Sequence, residues 1–224
     1  MPEPRFALVM LDLDGTLVDS EAMLVGLVNE TLAANGMPLA SPRRVAATIG
    51  LPLDEVFRRA AHGADAEQIA ALCVHYRRCA DAAEFVSRFR LFDGVADTLA
   101  ALCRAGTRLV VATSKGKATT LDIVRHCGIA AWLHDVIGGD CVARGKPHPE
   151  MVEHALATHD IAPERALVVG DTSFDIQMGQ AAGVATCAVT YGMHDADALR
   201  ALRPDFVIDR FASLFDLVTG SNGQ

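Results

Sequence analysis

Five short apolar runs recur along the chain: FALVMLDL (6–13), TRLVVATS (107–114), ALVVGD (166–171), VATCAVT (184–190) and DFVID (205–209). Each has the length of a strand, and none alternates apolar with polar residues. Strands of that kind are buried on both faces, the condition of a parallel sheet covered by helices on either side. The segments between them have helical spacing. VADTLAALCRAG puts Val95, Leu99 and Leu102 on one face and ends at Gly106, a helix-ending glycine. HPEMVEHALATH does the same with Met151, Val152, Ala155 and Leu156, and ADALRALRP is a short helix stopped by Pro204. The expected fold class is α/β, a doubly wound, Rossmann-like parallel sheet.

The alternation has one interruption. Between Asp19 and Arg90 only helical patterns occur. EAMLVGLVNETLAANG runs to Gly36 and PLDEVFRRAAHG runs from Pro52 to Gly63. DAEQIAALCVHYRRCADAAEFVSRF carries Ile69, Leu72, Cys73, Tyr76 and Cys79 at helical spacing. A segment of about seventy residues exceeds a connecting loop. The expected organisation is therefore a discontinuous α/β core, residues 1–18 and 91–224, with an inserted helical cap at 19–90. The terminal TGSNGQ (219–224) is expected to be disordered.

Composition narrows the function. The net charge of −8 argues against nucleic acid or an anionic membrane as partner. It leaves room for a small anionic substrate at a locally positive or metal-bearing site. No apolar run has the length of a membrane span, and MPEPRF lacks the features of a signal peptide, so the expected location is the cytoplasm. Cys73, Cys79, Cys103, Cys127, Cys141 and Cys187 are scattered without a C-x-x-C pair and read as reduced thiols. The oligomeric state is left open.

The first apolar run ends in Asp12 and Asp14, two like charges on the same side of an extended chain. Such a pair raises the cost of its own ionisation. Other strand ends carry polar residues as well: Thr113 and Ser114 in VVATSK, and Asp171 with Asp175 in VVGDTSFD; Lys146 in GKPHPE precedes a helix. Ligands of open parallel sheets sit at the carboxyl ends of the strands. Brought together there, the carboxylates would hold a hard divalent cation such as Mg2+, and a hydroxyl and a lysine would hold phosphate oxygens. One carboxylate is then left to attack phosphorus and form an aspartyl-phosphate.

Taken singly, these residues have ordinary explanations. Asp171 and Asp175 could be turn or helix caps, Thr113 and Ser114 capping hydroxyls, Lys146 a surface lysine and Gly50 a helix-ending glycine. Tyr76 and Arg77 read as packing and surface before they read as ligands. His148, His154 and His159 are not spaced to share a helix face and argue weakly for zinc.

In order, DLDGT, ATS, GKP and GDTSFD resemble the motifs of the haloacid dehalogenase superfamily, over nearly the whole chain. FDGVADTLAALCRAG, GKPHPEM and AAGVATCAVTYG are most similar to its phosphoglycolate phosphatase group. The resemblance implies a magnesium-dependent phosphatase acting on a small phosphorylated metabolite. Asp12 would be the nucleophile, and Asp14 would protonate the leaving oxygen and later activate water. Thr113 would bind the transferring phosphoryl group and Lys146 would balance its charge, with Ser114 and Gly50 on the substrate side. Asp12, the backbone carbonyl of Asp14, and Asp171 would hold the metal, supported by Asp175.

The rival readings differ at particular residues. Dehalogenases and phosphonate hydrolases of the superfamily lack the second aspartate, so Asp14 points to phosphate chemistry. Mutases resembling β-phosphoglucomutase usually have a small apolar residue where Thr16 stands, which favours hydrolysis; pyrophosphate hydrolysis would use the same core. A receiver-like phosphate sensor shares the polar strand ends but is about half as long and has no helical insertion. No G-x-G-x-x-G follows the first run, which counts against a dinucleotide binder.

Overall fold

The structure is a computed structural model and describes residues 3–220. Six parallel strands form its sheet: β1 (Leu8–Leu11), β2 (Arg108–Ala112), β3 (Asp135–Ile137), β4 (Ala166–Gly170), β5 (Ala185–Val189) and β6 (Phe206–Ile208). Their order is β3-β2-β1-β4-β5-β6. Five of these strands lie within the apolar runs. The sixth, β3, is a three-residue edge strand, too short to stand out as a run.

Successive residues of β1 show why the runs do not alternate. Val9 and Leu11 enter one core with Leu109, Val111, Leu167 and Val169. Leu8 and Met10 enter the core on the opposite face with Val110, Ala112 and Val168. Both faces are dry, so every position is apolar. Helices α6 (Val95–Arg104) and α11 (Leu214–Thr219) cover the first face through Val95, Leu99, Leu102 and Leu214. Helices α8 (Glu150–His159) and α9 (Ser173–Ala181) cover the second through Met151, Val152, Ala155 and Met178. Helices α7 (Lys117–His126) and α10 (Ala196–Ala201) complete the layers. Full burial of each such aliphatic side chain contributes about 1.5–3 kcal/mol before entropic costs.

Five helices separate β1 from α6: α1 (Glu21–Ala34), α2 (Pro42–Ala46), α3 (Leu53–Ala60), α4 (Ala66–Ala80) and α5 (Ala83–Val86). Their ends follow from sequence chemistry. α1 stops before Gly36, at φ +70°, and α4 begins with a capping box in which Asp65 and Gln68 satisfy each other's amides. The apolar pattern expected as one long helix is broken at Asp81–Ala82 into α4 and α5. The chain leaves and re-enters the sheet layer by adjacent segments: the Asp19 amide donates to the Arg90 carbonyl, and Phe92 to Leu17, both at 3.0 Å. Of the terminal segment expected to be disordered, Thr219 instead ends α11 and Gly220 caps it, and 221–224 lies outside the described residues. Among the described residues no helix is long and apolar enough to cross a membrane.

Candidate active site

The register of the sheet fixes the site. Leu11 of β1 pairs with Val111 of β2 and with Val169 of β4. Asp12 therefore emerges level with the ends of both neighbours, its amide donating to the Val169 carbonyl at 2.9 Å. Thr113 follows the end of β2, and Asp171 the end of β4. All three are at most 4% exposed.

Lys146 reaches this edge from the loop before α8, and its side chain is fully enclosed. Its ammonium donates to Asp12 Oδ1 and to Asp175 Oδ1, each at 2.6 Å. Asp12 Oδ2 has no hydrogen bond among the described residues. Asp175 is set by the start of α9, where the Thr172 hydroxyl donates to its Oδ2 at 2.6 Å. Asp171 accepts from the Thr16 hydroxyl and from the Met193 amide, both at 2.8 Å, and has no ion pair among the described residues. The Tyr191 hydroxyl secures this corner by donating to the Thr16 carbonyl at 2.9 Å.

Asp12, Asp171 and Asp175 thus bring carboxylate oxygens within 4.8 Å of one another, against one lysine. The electrostatics record the excess. Burial, then the charges of Asp175 and Asp14, push Asp12 up to about 7 despite Lys146. Burial, then Asp12 and Asp175, hold Asp171 well above the usual carboxylate range. Burial opposes the Lys146 ammonium, but the two aspartates outweigh it and raise its pKa. A buried set of oxygen donors with surplus negative charge fits a hard divalent cation, which would relieve the repulsion directly.

Two glycines let the chain close around Asp171. At Gly15, with φ +80°, a Cβ would stand 2.1 Å from Asp171 Oδ2; at Gly192 it would stand 2.3 Å from Asp171 Cβ. Gly15→Ala is expected to lower stability by at least about 1–2 kcal/mol, the cost of a left-handed backbone alone, and to displace Asp171. The urea midpoint measures this; an unchanged midpoint would contradict the close approach.

Asp14 lies apart from the three-carboxylate group. Its Oδ1 accepts from Ser20 at 2.7 Å and its Oδ2 from the Lys115 ammonium at 2.6 Å. Ser114 bonds the Gly50 carbonyl at 2.5 Å, joining the end of β2 to the segment between α2 and α3. Thr113 accepts from the Lys115 amide at 3.3 Å. A pocket of about 550 Å³ opens here, with Asp12, Asp14, Thr113 and Ser114 on the sheet side. Gly50, Tyr76 and Arg77 line it from the helical side, whereas Lys146, Asp171 and Asp175 are not among its lining residues.

The structure therefore gathers Asp12, Lys146, Asp171 and Asp175 into one contact set, with Asp14, Thr113, Ser114 and Gly50 on the adjoining pocket. Tyr76 both packs edge-on against Phe57, at 5.8 Å between ring centres, and faces the pocket. Sequence reasoning missed Lys115 and Ser20 as partners of Asp14, and Thr16 as a partner of Asp171. A lysine directly after the strand-end hydroxyls of VVATSK was the available signal for Lys115.

Residues 9–189 match the family model described as haloacid dehalogenase-like hydrolase. The chain is 36% identical to the phosphoglycolate phosphatase of Pectobacterium atrosepticum, over 95% of this chain and 92% of that one. It is also 36% identical to the probable phosphatase IndB of Dickeya dadantii, over 92% and 91% of the two chains. Among solved structures, a Bacteroides fragilis protein described as haloacid dehalogenase-like superposes with a TM-score of 0.88 at 29% identity, covering 93% of this chain and 99% of that one.

Proposed function

The chain belongs to the haloacid dehalogenase-like hydrolases, as a phosphoric monoester hydrolase of the phosphoglycolate phosphatase-like group, and from that premise we propose that it cleaves a small phosphate monoester, phosphoglycolate-like in class, through an aspartyl-phosphate with magnesium as cofactor. The observation that carries the reading is the Asp12–Lys146 pair at 2.6 Å, placed where β1 meets the pocket.

In this mechanism an Asp12 oxygen attacks phosphorus and the bond to the leaving oxygen breaks. Lys146 fixes the Oδ1 side of Asp12, leaving Oδ2 without a hydrogen bond among the described residues. Thr113 donates its hydroxyl to the phosphoryl group in flight, and Lys146 offsets its charge. Asp14 gives a proton to the leaving oxygen, then takes one from the water that attacks the aspartyl-phosphate, so that phosphate departs and Asp12 is regenerated. Both Asp14 oxygens are occupied in the structure. Each of these oxygens accepts a single hydrogen bond and keeps a second lone pair, through which the proton can be taken up and given. Asp12, Asp171 and the Asp14 backbone carbonyl would hold the metal, with Asp175 keeping Lys146 in place. Magnesium, when bound, supplies the positive charge that lets a dianionic ester approach these carboxylates.

Residues 19–90 act in this reading as a cap that closes over the pocket and excludes water. Support comes from the paired linkers at Asp19 and Arg90 and from Ser114 bonding Gly50 across the pocket. A volume of about 550 Å³ suits a metabolite.

Phosphate release from a panel of metabolite-sized esters and a folded phosphoprotein tests the reading. The small esters are expected to turn over far faster. Chelation is expected to lower the rate at least about tenfold, reversibly on adding magnesium. Full activity after exhaustive chelation, with no metal found by elemental analysis, would rule out the cofactor.

A further inference from the structure

Only two cationic side chains are among the residues lining the pocket, Lys115 and Arg77. Lys115 is committed to Asp14 at 2.6 Å. The Arg77 guanidinium has no hydrogen bond or ion pair among the described residues, although Asp54 and Asp81 line the same pocket. Those carboxylates are engaged elsewhere, Asp54 by Arg58 at 2.8 Å and Asp81 by the Thr119 hydroxyl. Arg77 is exposed, but it also lines the pocket, together with Asp12, Asp14, Asp54, Asp81 and Asp140.

Its placement follows from the helix. Tyr76 and Arg77, with Ala80 one turn further on, lie on the side of α4 that meets the pocket. The phenol of Tyr76 is pushed up by burial and then by the negative charge of Asp14. This turn of α4 and the proposed acid–base carboxylate Asp14 line the same pocket, into which the leaving group would project.

We propose that Arg77 is a specificity-determining residue that binds a second anionic group on the leaving-group side of the substrate, a carboxylate or a second phosphate. The inference rests on the reading of Asp12 as the site of phosphate-ester hydrolysis. Among the lining residues an anionic leaving group meets these aspartates, apolar side chains and one cation without a partner among the described residues. The planar guanidinium suits it, offering parallel N–H donors to two oxygens of one anion.

The test is steady-state kinetics of wild type, Arg77→Ala and Arg77→Lys on phosphoglycolate, ethylene glycol bisphosphate and ethyl phosphate, with magnesium present. Wild type is expected to prefer one of the two doubly functional esters, and which one identifies the second anion. In Arg77→Ala the kcat/KM ratio of that ester to ethyl phosphate should fall roughly 10- to 100-fold, mainly through KM, the range for losing a hydrogen bond to a charged group. Arg77→Lys should recover part of it. A ratio unchanged by Arg77→Ala, whether through equal losses or through none, overturns the proposal. If wild type hydrolyses none of the three, the reading of Asp12 itself fails and the inference falls with it. Hydrolysis of all three with no preference for an anionic leaving group overturns the role of Arg77 alone.

Discussion

Asp12→Asn is expected to lower turnover by at least roughly a thousandfold while the protein stays folded. The amide keeps the shape of the carboxylate and can still accept a hydrogen bond from Lys146, which retains Asp175 as its ionic partner. It also removes one of three crowded charges from a buried cluster, so nothing in the packing requires unfolding. What is lost is the attacking oxygen and one proposed metal ligand. Retention of more than about a hundredth of the wild-type rate is incompatible with a covalent role.

Lys146→Ala has the second large effect, and it falls on stability and rate together. The side chain is fully enclosed and bonds two buried aspartates. Removing it strands both charges, a loss of about 3–5 kcal/mol for breaking a buried pair. The rate should fall by a similar factor for every ester, because each shares the phosphoryl group that Asp12, held by Lys146, is proposed to attack. Should the single variant fail to fold, Lys146→Met with Asp175→Asn removes ammonium and carboxylate together. The double variant is expected to regain stability in chemical denaturation but not turnover. A stable Lys146→Ala protein with wild-type rates, or a loss confined to one ester, contradicts the account.

Much of the architecture was legible because burial on both faces leaves a direct mark. A run such as ALVVG admits no polar position when Leu167 and Val168 enter opposite cores. β3 was not legible: at an edge, three residues carry too little pattern. The break between α4 and α5 was hidden for a different reason, since apolar spacing continues through Asp81–Ala82 while the backbone turns. In the site, the strand ends disclosed which residues meet, because β1 lies between β2 and β4. They did not disclose which atoms pair. Thr16 and Asp171 are 155 positions apart, and Lys115 and Asp14 101 apart. Such pairs depend on loop paths that no local pattern encodes. The two carboxylates that share one side of an extended strand in the sequence in fact serve separate partners, Asp12 with Lys146 and Asp14 with Lys115 and Ser20.

The central claim is that phosphate passes through a covalent bond to Asp12. It is tested most directly by quenching the enzyme in acid during turnover, digesting it and weighing the peptides. The account predicts that the peptide containing Asp12 carries the mass of one phosphoryl group, that the group is lost on incubation with hydroxylamine, and that Asp12→Asn abolishes it. Turnover with an unmodified Asp12 peptide at every quench time, together with a phosphoryl group trapped on another residue, would contradict it.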